Sequence, residues 1–210
     1  MYMKLFIVFI TLFVHSIGFS QSQINQVDIQ SYNVQLFVND STNAVKVIET
    51  VFIKFISDCD SFNLDLIQLK ENGKGMTIDS KTGIVENFDA VEYNHSDNKI
   101  WIKPIKGKAN NVTSYKLIYS GIPEDGLVIG ENKFGDRTFF GDNWPNRAQN
   151  WIACIDHPAD KASINFTVFA PSHYDCIATG VKEKTLELSN GQTMHLYHSE
   201  IQLPTKVMVV

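Results

Sequence analysis

The chain has 210 residues, 44% hydrophobic and 20% charged, which supports a packed core and excludes a disordered tail. Eighteen basic residues against 23 acidic leave a net charge of −5, without the dense Lys/Arg face of a nucleic-acid binder, so no nucleic-acid partner is expected. Aromatics are 11% of the chain and lean toward β structure.

Residues 1–20 read as an export signal. Lys4 gives a positive start, 5–14 is apolar apart from Thr11, and Gly18 and Ser20 put small residues at −3 and −1 before Gln21. A bilayer span needs about 20 apolar residues, and His15 and Ser16 end this run early. The expectation is a cleaved signal, a short N-terminal extension over 21–27 and one β domain over 28–210. The location would be periplasmic or extracellular, with no membrane association after cleavage.

Period-2 alternation predicts strands at 32–38 and 45–55, joined through the turn cluster Asn39-Asp40-Ser41 as a hairpin. Further strands are expected at 62–66, 83–91, 99–103, 114–119, 163–169, 175–181, 185–188, 193–198 and 206–210. Turns fall between them at Asn72-Gly73, Lys81-Thr82-Gly83, Asp97-Asn98, Pro123-Glu124-Asp125-Gly126 and Asn190-Gly191. A spacing of about 8–12 residues between turns is that of a sandwich or barrel. No 3.6-residue stripe is sustained; one short helix is expected near 146–151, after Pro145. The fold class is therefore all-β, a multi-stranded β-sandwich.

Catalytic spacings are mostly missing. No H-E-x-x-H, G-x-S-x-G or Walker pattern occurs. His195 and His198 lie three apart in a predicted strand, so they point to opposite faces and read as surface or strand-edge residues. The odd cysteine count of Cys59, Cys154 and Cys176 allows at most one internal disulfide. Buried thiols are favoured, because a core of this size needs no covalent staple. Cys154 beside Asp156 and His157 reads as structural rather than as a nucleophile with its base, since a triad partner is normally distant in sequence. Four Asn-x-Ser/Thr acceptor patterns begin at Asn39, Asn94, Asn111 and Asn165, each a weak short match.

Residues 134–171 are the densest part: two tryptophans, two arginines and several turn-forming Asp and Asn in an irregular stretch, then a strand. Asp156 is placed to accept N–H bonds from the turn after it, and Lys161 to pair with a carboxylate. Long structured loops of this kind often bind partners.

Within it, Trp151-x-x-Cys154-x-Asp156-His157-Pro158-x-Asp160-Lys161-Ala162 resembles the W-x-P-C-x-D-x-P-x-x-K-A signature of the aminopeptidase N family of zinc metallopeptidases (gluzincin aminopeptidases). Tyr32-Asn33-Val34-Gln35-Leu36, Phe62-Asn63-Leu64-Asp65-Leu66 and Tyr119-Ser120-Gly121-Ile122-Pro123 match other stretches of that family's N-terminal domain in order. Ala178-Thr179-Gly180 stands where S-N-G is usual, and Ala153 where the signature has proline.

The resemblance implies a saddle-like, non-catalytic β domain forming one wall of an aminopeptidase cleft. It implies no cofactor, no metal ligand and no catalytic residue in this chain. Zinc and the G-x-M-E-N and H-E-x-x-H groups would sit in a missing catalytic domain that acts on peptide substrates. Cys154, Asp156, His157, Pro158, Asp160 and Lys161 form the structural motif. Asp142, Trp144, Arg147 and Trp151 are the substrate-cleft or interface candidates, and Phe140, Trp144 and Trp151 are expected to face the catalytic domain. Family members carry a Gln or Glu twelve residues before the signature aspartate that helps hold the substrate amine; here that position is Trp144, with Asp142 two residues earlier as a substitute. The apolar end at 206–210, expected as an uncapped strand, favours a fragment or truncated gene product. The alternative is a stand-alone secreted β-sandwich for binding or adhesion.

Overall fold

The structure, a computed structural model, describes residues 26–210; the expected export signal and residues 21–25 lie outside the described residues. Fourteen strands follow in order: β1 Val27–Phe37, β2 Val45–Phe55, β3 Phe62–Asp65, β4 Gly75–Ile78, β5 Ile84–Glu86, β6 Asp89–Ala90, β7 Tyr93–Ser96, β8 Lys99–Ile102, β9 Val112–Ile122, β10 Leu127–Glu131, β11 Arg137–Gly141, β12 Ala162–Pro171, β13 Val181–Glu187 and β14 Gln192–Leu203. The nine-stranded sheet runs β13-β14-β12-β1-β2-β9-β5-β6, with β4 also on β9. β3-β8-β7 form a second sheet and β10-β11 a hairpin. β1 pairs with β12 in parallel, and the other pairs are antiparallel.

The core follows the alternation. Tyr32, Val34 and Leu36 of β1, Val47, Val51 and Ile53 of β2, Tyr115, Leu117 and Tyr119 of β9, and Ile164, Phe166 and Val168 of β12 are buried. Each such apolar side chain contributes roughly 1.5–3 kcal/mol by leaving water. The small sheet packs onto this face through Phe62, edge-on to Phe55 at 5.9 Å and to Tyr115 at 5.1 Å. In β1 the parity changes across a register shift between Ile29 and Ser31. That bulge lets Val27 and Ile29 face inward together with Tyr32, where an unbroken strand would turn one set outward.

Several expected elements change. The strand over 83–91 is the hairpin β5–β6, because Asn87 (φ 46°) and Phe88 (φ 84°) make a tight positive-φ turn without a glycine. β4, β7 and β10 lie where no strand is expected, and β11 falls within the stretch 134–171 expected to be irregular. The strand over 175–181 is absent until Val181. The helix near 146–151 is a single 3-10 turn, Ala148–Asn150. The final strand over 206–210 is not a strand. Thr205–Val207 form a 3-10 turn, Met208 is buried, and Gly141 N–H donates to the Val210 carbonyl at 2.8 Å. Among the described residues no helix is long and apolar enough to cross a membrane.

Candidate functional site

Residues 142–161 connect β11 to β12, and buried side chains of β1, β2 and β9 together with Asp65 of β3 hold their backbone. Cys154 forms a two-way backbone bridge with Asp65 at the end of β3: Asp65 N–H donates to the Cys154 carbonyl at 2.6 Å, and Cys154 N–H to the Asp65 carbonyl at 3.1 Å. Glu49, on the buried face of β2, accepts the Ala153 N–H at 3.0 Å and the Tyr119 hydroxyl at 2.5 Å. The Tyr32 hydroxyl accepts the Ile155 N–H at 3.2 Å. The Asp65 carboxylate accepts the Asp156 N–H at 3.1 Å and holds Lys99 at 2.7 Å.

The signature residues return these bonds. Asp156 accepts the Thr205 hydroxyl at 2.7 Å and the Gln149 N–H at 3.2 Å. It therefore caps the 3-10 turn before it rather than the turn after it. Asp160, 6% exposed, accepts the Ile29 N–H of β1 at 3.3 Å. His157 is exposed, with Nδ1 accepting the Ala159 N–H at 3.2 Å. Pro158 and Lys161 are exposed, and none of the ion pairs among the described residues includes Lys161, so the pairing expected for it is not formed.

Burial sets the electrostatics. Desolvation pushes the Glu49 carboxyl up to about 8 and the Asp160 carboxyl up to about 7. Glu49 Oε1 and Asp160 Oδ2 have no hydrogen-bond partner. Asp156 is raised by burial too. The Cys154 thiol is pushed far above its ordinary value, first by burial and then by Asp156, Asp65, Glu49 and Asp160 around it. A protonated, fully buried thiol is a poor nucleophile and a poor zinc ligand. Among the described residues no three His, Cys, Asp or Glu are grouped to hold a metal. His195 and His198 lie on opposite faces of β14. The described residues do not fit a catalytic zinc.

The cleft candidates separate. Trp151 is fully buried: it stacks on Phe166 at 6.1 Å, and its indole N–H donates to Asn143 Oδ1 at 2.8 Å. It is a core residue, not part of the exposed rim. Trp144 is 59% exposed, with the Lys206 ammonium 4.4 Å from its ring centroid. Arg147 bridges Asp142 at 2.9 Å and Asp125 at 3.2 Å. Phe140 is 62% exposed, directly opposite Val128 in the β10–β11 hairpin. His195, expected at the surface, is buried, with neither ring nitrogen bonded.

Two residues of the site escape a sequence reading. Asn143, 1% exposed, ties Trp151 to the carbonyls of Thr205 (3.2 Å) and Met208 (2.6 Å), and nothing in its neighbourhood distinguishes it from other turn asparagines. Glu49 does leave a signal: it is the one acidic residue at an inward position of the β2 alternation.

An all-β domain with this pinned segment between sheet and hairpin defines the class, and sequence comparison gives the family. Residues 28–207 match the Peptidase M1 N-terminal domain, and the chain belongs to that family. No curated protein matches the chain. Among solved structures, the M1 zinc metallopeptidase from Deinococcus radiodurans is similar at 20% identity and TM-score 0.74, over 88% of this chain and 41% of that one. A mutant of that metallopeptidase bound to a Tyr-Ser-Ala substrate gives 20% identity and TM-score 0.73, over the same shares. A two-domain M1 zinc metallopeptidase mutant bound to L-tryptophan gives 21% and 0.74, over 88% and 42%. The chain spans about two-fifths of the length of these enzymes.

Proposed function

We propose that this chain is the N-terminal, non-catalytic wall of an exported zinc aminopeptidase and packs against a catalytic domain that removes N-terminal residues from peptides. The exposed aromatics carry the reading: Trp144 and Phe140 stand out to solvent, one within the pinned segment and the other on the hairpin strand leading into it. Large aromatics in the open are what an interface with another domain buries. Zinc in the catalytic domain would lower the pKa of its bound water; no step of that chemistry runs through this chain. Its work is positioning. Glu49, Tyr119, Tyr32 and Asp65 fix the backbone of 153–156, so that Asp142, Trp144 and Arg147 are presented on a rigid edge.

Sequencing the DNA beyond the Val210 codon tests this. The expected result is a continuation encoding G-x-M-E-N and H-E-x-x-H. A stop with neither motif downstream would overturn it in favour of a stand-alone binding or adhesion module.

A further inference from the structure

His195 is 3% exposed, and neither of its ring nitrogens has a hydrogen-bond partner. It lies on the inner face of β14, with Val168 of β12 and Thr185 of β13 directly opposite it in register. Val168 belongs to the buried core, but β13 does not: all seven of its residues are exposed. β13 ends the nine-stranded sheet and pairs with β14 alone. The imidazole is therefore flanked by the core on one side and by an edge strand that buries no side chain on the other. Elements with so few buried contacts open at the lowest free-energy cost. This relationship is independent of the aminopeptidase reading.

The charges around the ring are few. Lys182 of β13 lies on the same face, its ammonium 6.0 Å from the Tyr197 ring centroid, and Glu187 stands opposite Thr193 one row further along. Residues 172–180, between β12 and β13, bring Asp175 and Cys176, and the Tyr197 hydroxyl donates to the Cys176 carbonyl. Burial raises both the Tyr197 phenol and the Cys176 thiol, so both stay neutral near pH 7 and below. β12 offers only Phe166, Val168 and Ala170 on this face, and Arg137 of β11 lies across the cavity that Val168 and Cys176 line. Burial holds the His195 imidazole below its ordinary value; Lys182 lowers it further and Asp175 opposes this. A proton on His195 in the closed structure would be a buried cation with two unpaired donors beside Lys182, an expensive arrangement that water relieves once the edge opens.

We propose that His195 is an acid-operated latch on the sheet edge: on mild acidification its protonation releases β13 from β14, while β1, β2 and β9 stay paired. The sign is opposite to that of a carboxyl raised by burial. The open edge takes the proton first, so the edge loses protection as pH falls below the ordinary imidazole value of about 6.5. The test is amide hydrogen exchange of the full chain at pH 7 and pH 5, followed by NMR, with each rate referred to the intrinsic rate at its own pH. Protection of 181–187 is expected to fall at least about threefold at pH 5, and at most about thirtyfold, the limit for an ordinary imidazole. β1 and β2 should show no such loss. His195→Leu, which cannot take a proton, should keep the protection of 181–187 level between the two pH values. Unchanged protection of 181–187 in the unaltered chain, an equal loss in β1 and β2, or the same loss in His195→Leu would overturn the proposal. The unaltered chain alone decides the first two outcomes, even where the variant fails to fold.

Discussion

The Trp151 indole N–H donates to Asn143 Oδ1 at 2.8 Å, and both residues are at most 1% exposed. The same asparagine donates through its amide to the carbonyls of Thr205 and Met208, so one side chain joins the core tryptophan to the last turn of the domain. Asn143→Ala leaves the indole donor and the Met208 carbonyl without the partner that Asn143 gives them, while the Thr205 carbonyl keeps the Met208 N–H at 3.0 Å. It is expected to destabilise the domain by roughly 2–4 kcal/mol. Urea denaturation followed by tryptophan fluorescence measures this; a loss below about 0.5 kcal/mol, the range of a neutral surface change, would contradict the role given to Asn143.

The buried carboxyls set a pH dependence. Glu49 is raised to about 8 and Asp160 to about 7, both by desolvation. For an acid whose folded pKa lies above its unfolded value, the native state binds the extra proton, so stability falls as pH rises. The contribution is full below about pH 4 and is lost as pH climbs through 7 and then 8. Denaturation midpoints should therefore fall between pH 5 and pH 8. Glu49→Gln, which keeps an acceptor for Ala153 N–H and Tyr119, should flatten the slope and gain most at pH 8. A midpoint that rises over this window, with the same rise in Glu49→Gln, would contradict it.

Phe88 sits at φ 84° and is 97% exposed in the β5–β6 turn. It gains nothing from packing there and carries the steric penalty of a left-handed backbone. Phe88→Gly should stabilise the domain by about 1 kcal/mol, read as a higher melting temperature. An unchanged or lower melting temperature would show that the turn is not strained.

Trp144→Ser should leave the melting temperature within the range of ordinary surface changes, about 0.5 kcal/mol, because more than half of the ring is in water and Lys206 is its noted ring contact. The same change should weaken association with a catalytic domain by about tenfold or more if Trp144 is a central interface anchor. Pull-down against that domain reads this out; full-strength binding by Trp144→Ser would remove the residue from the interface.

Alternation made the long strands legible. In β2, Val45 to Phe55 alternates without interruption, and both ends fall where the pattern places them. The bulge in β1 was not legible, because Gln30 and Ser31 carry no turn chemistry and only the pairing with β2 reveals the shift. The β5–β6 turn was missed for a related reason: Asn-Phe is a rare occupant of two positive-φ positions, so a strand reading ran through it. In the dense segment, Trp144 and Trp151 look alike in sequence. What separates them is a tertiary partner, Asn143 and Phe166 for Trp151 and a surface lysine for Trp144. Asp156 and Asp160 were visible as a motif, but their bonds to Thr205 and Ile29 cross 49 and 131 residues, beyond any local pattern.

We propose that this chain supplies the wall and not the chemistry of a zinc aminopeptidase. The direct measurement is release of dye from aminoacyl substrates by the purified chain, with added zinc and with a chelator. No turnover above the blank is expected in either condition; turnover that zinc supports and the chelator abolishes would place the chemistry in this chain and overturn the proposal.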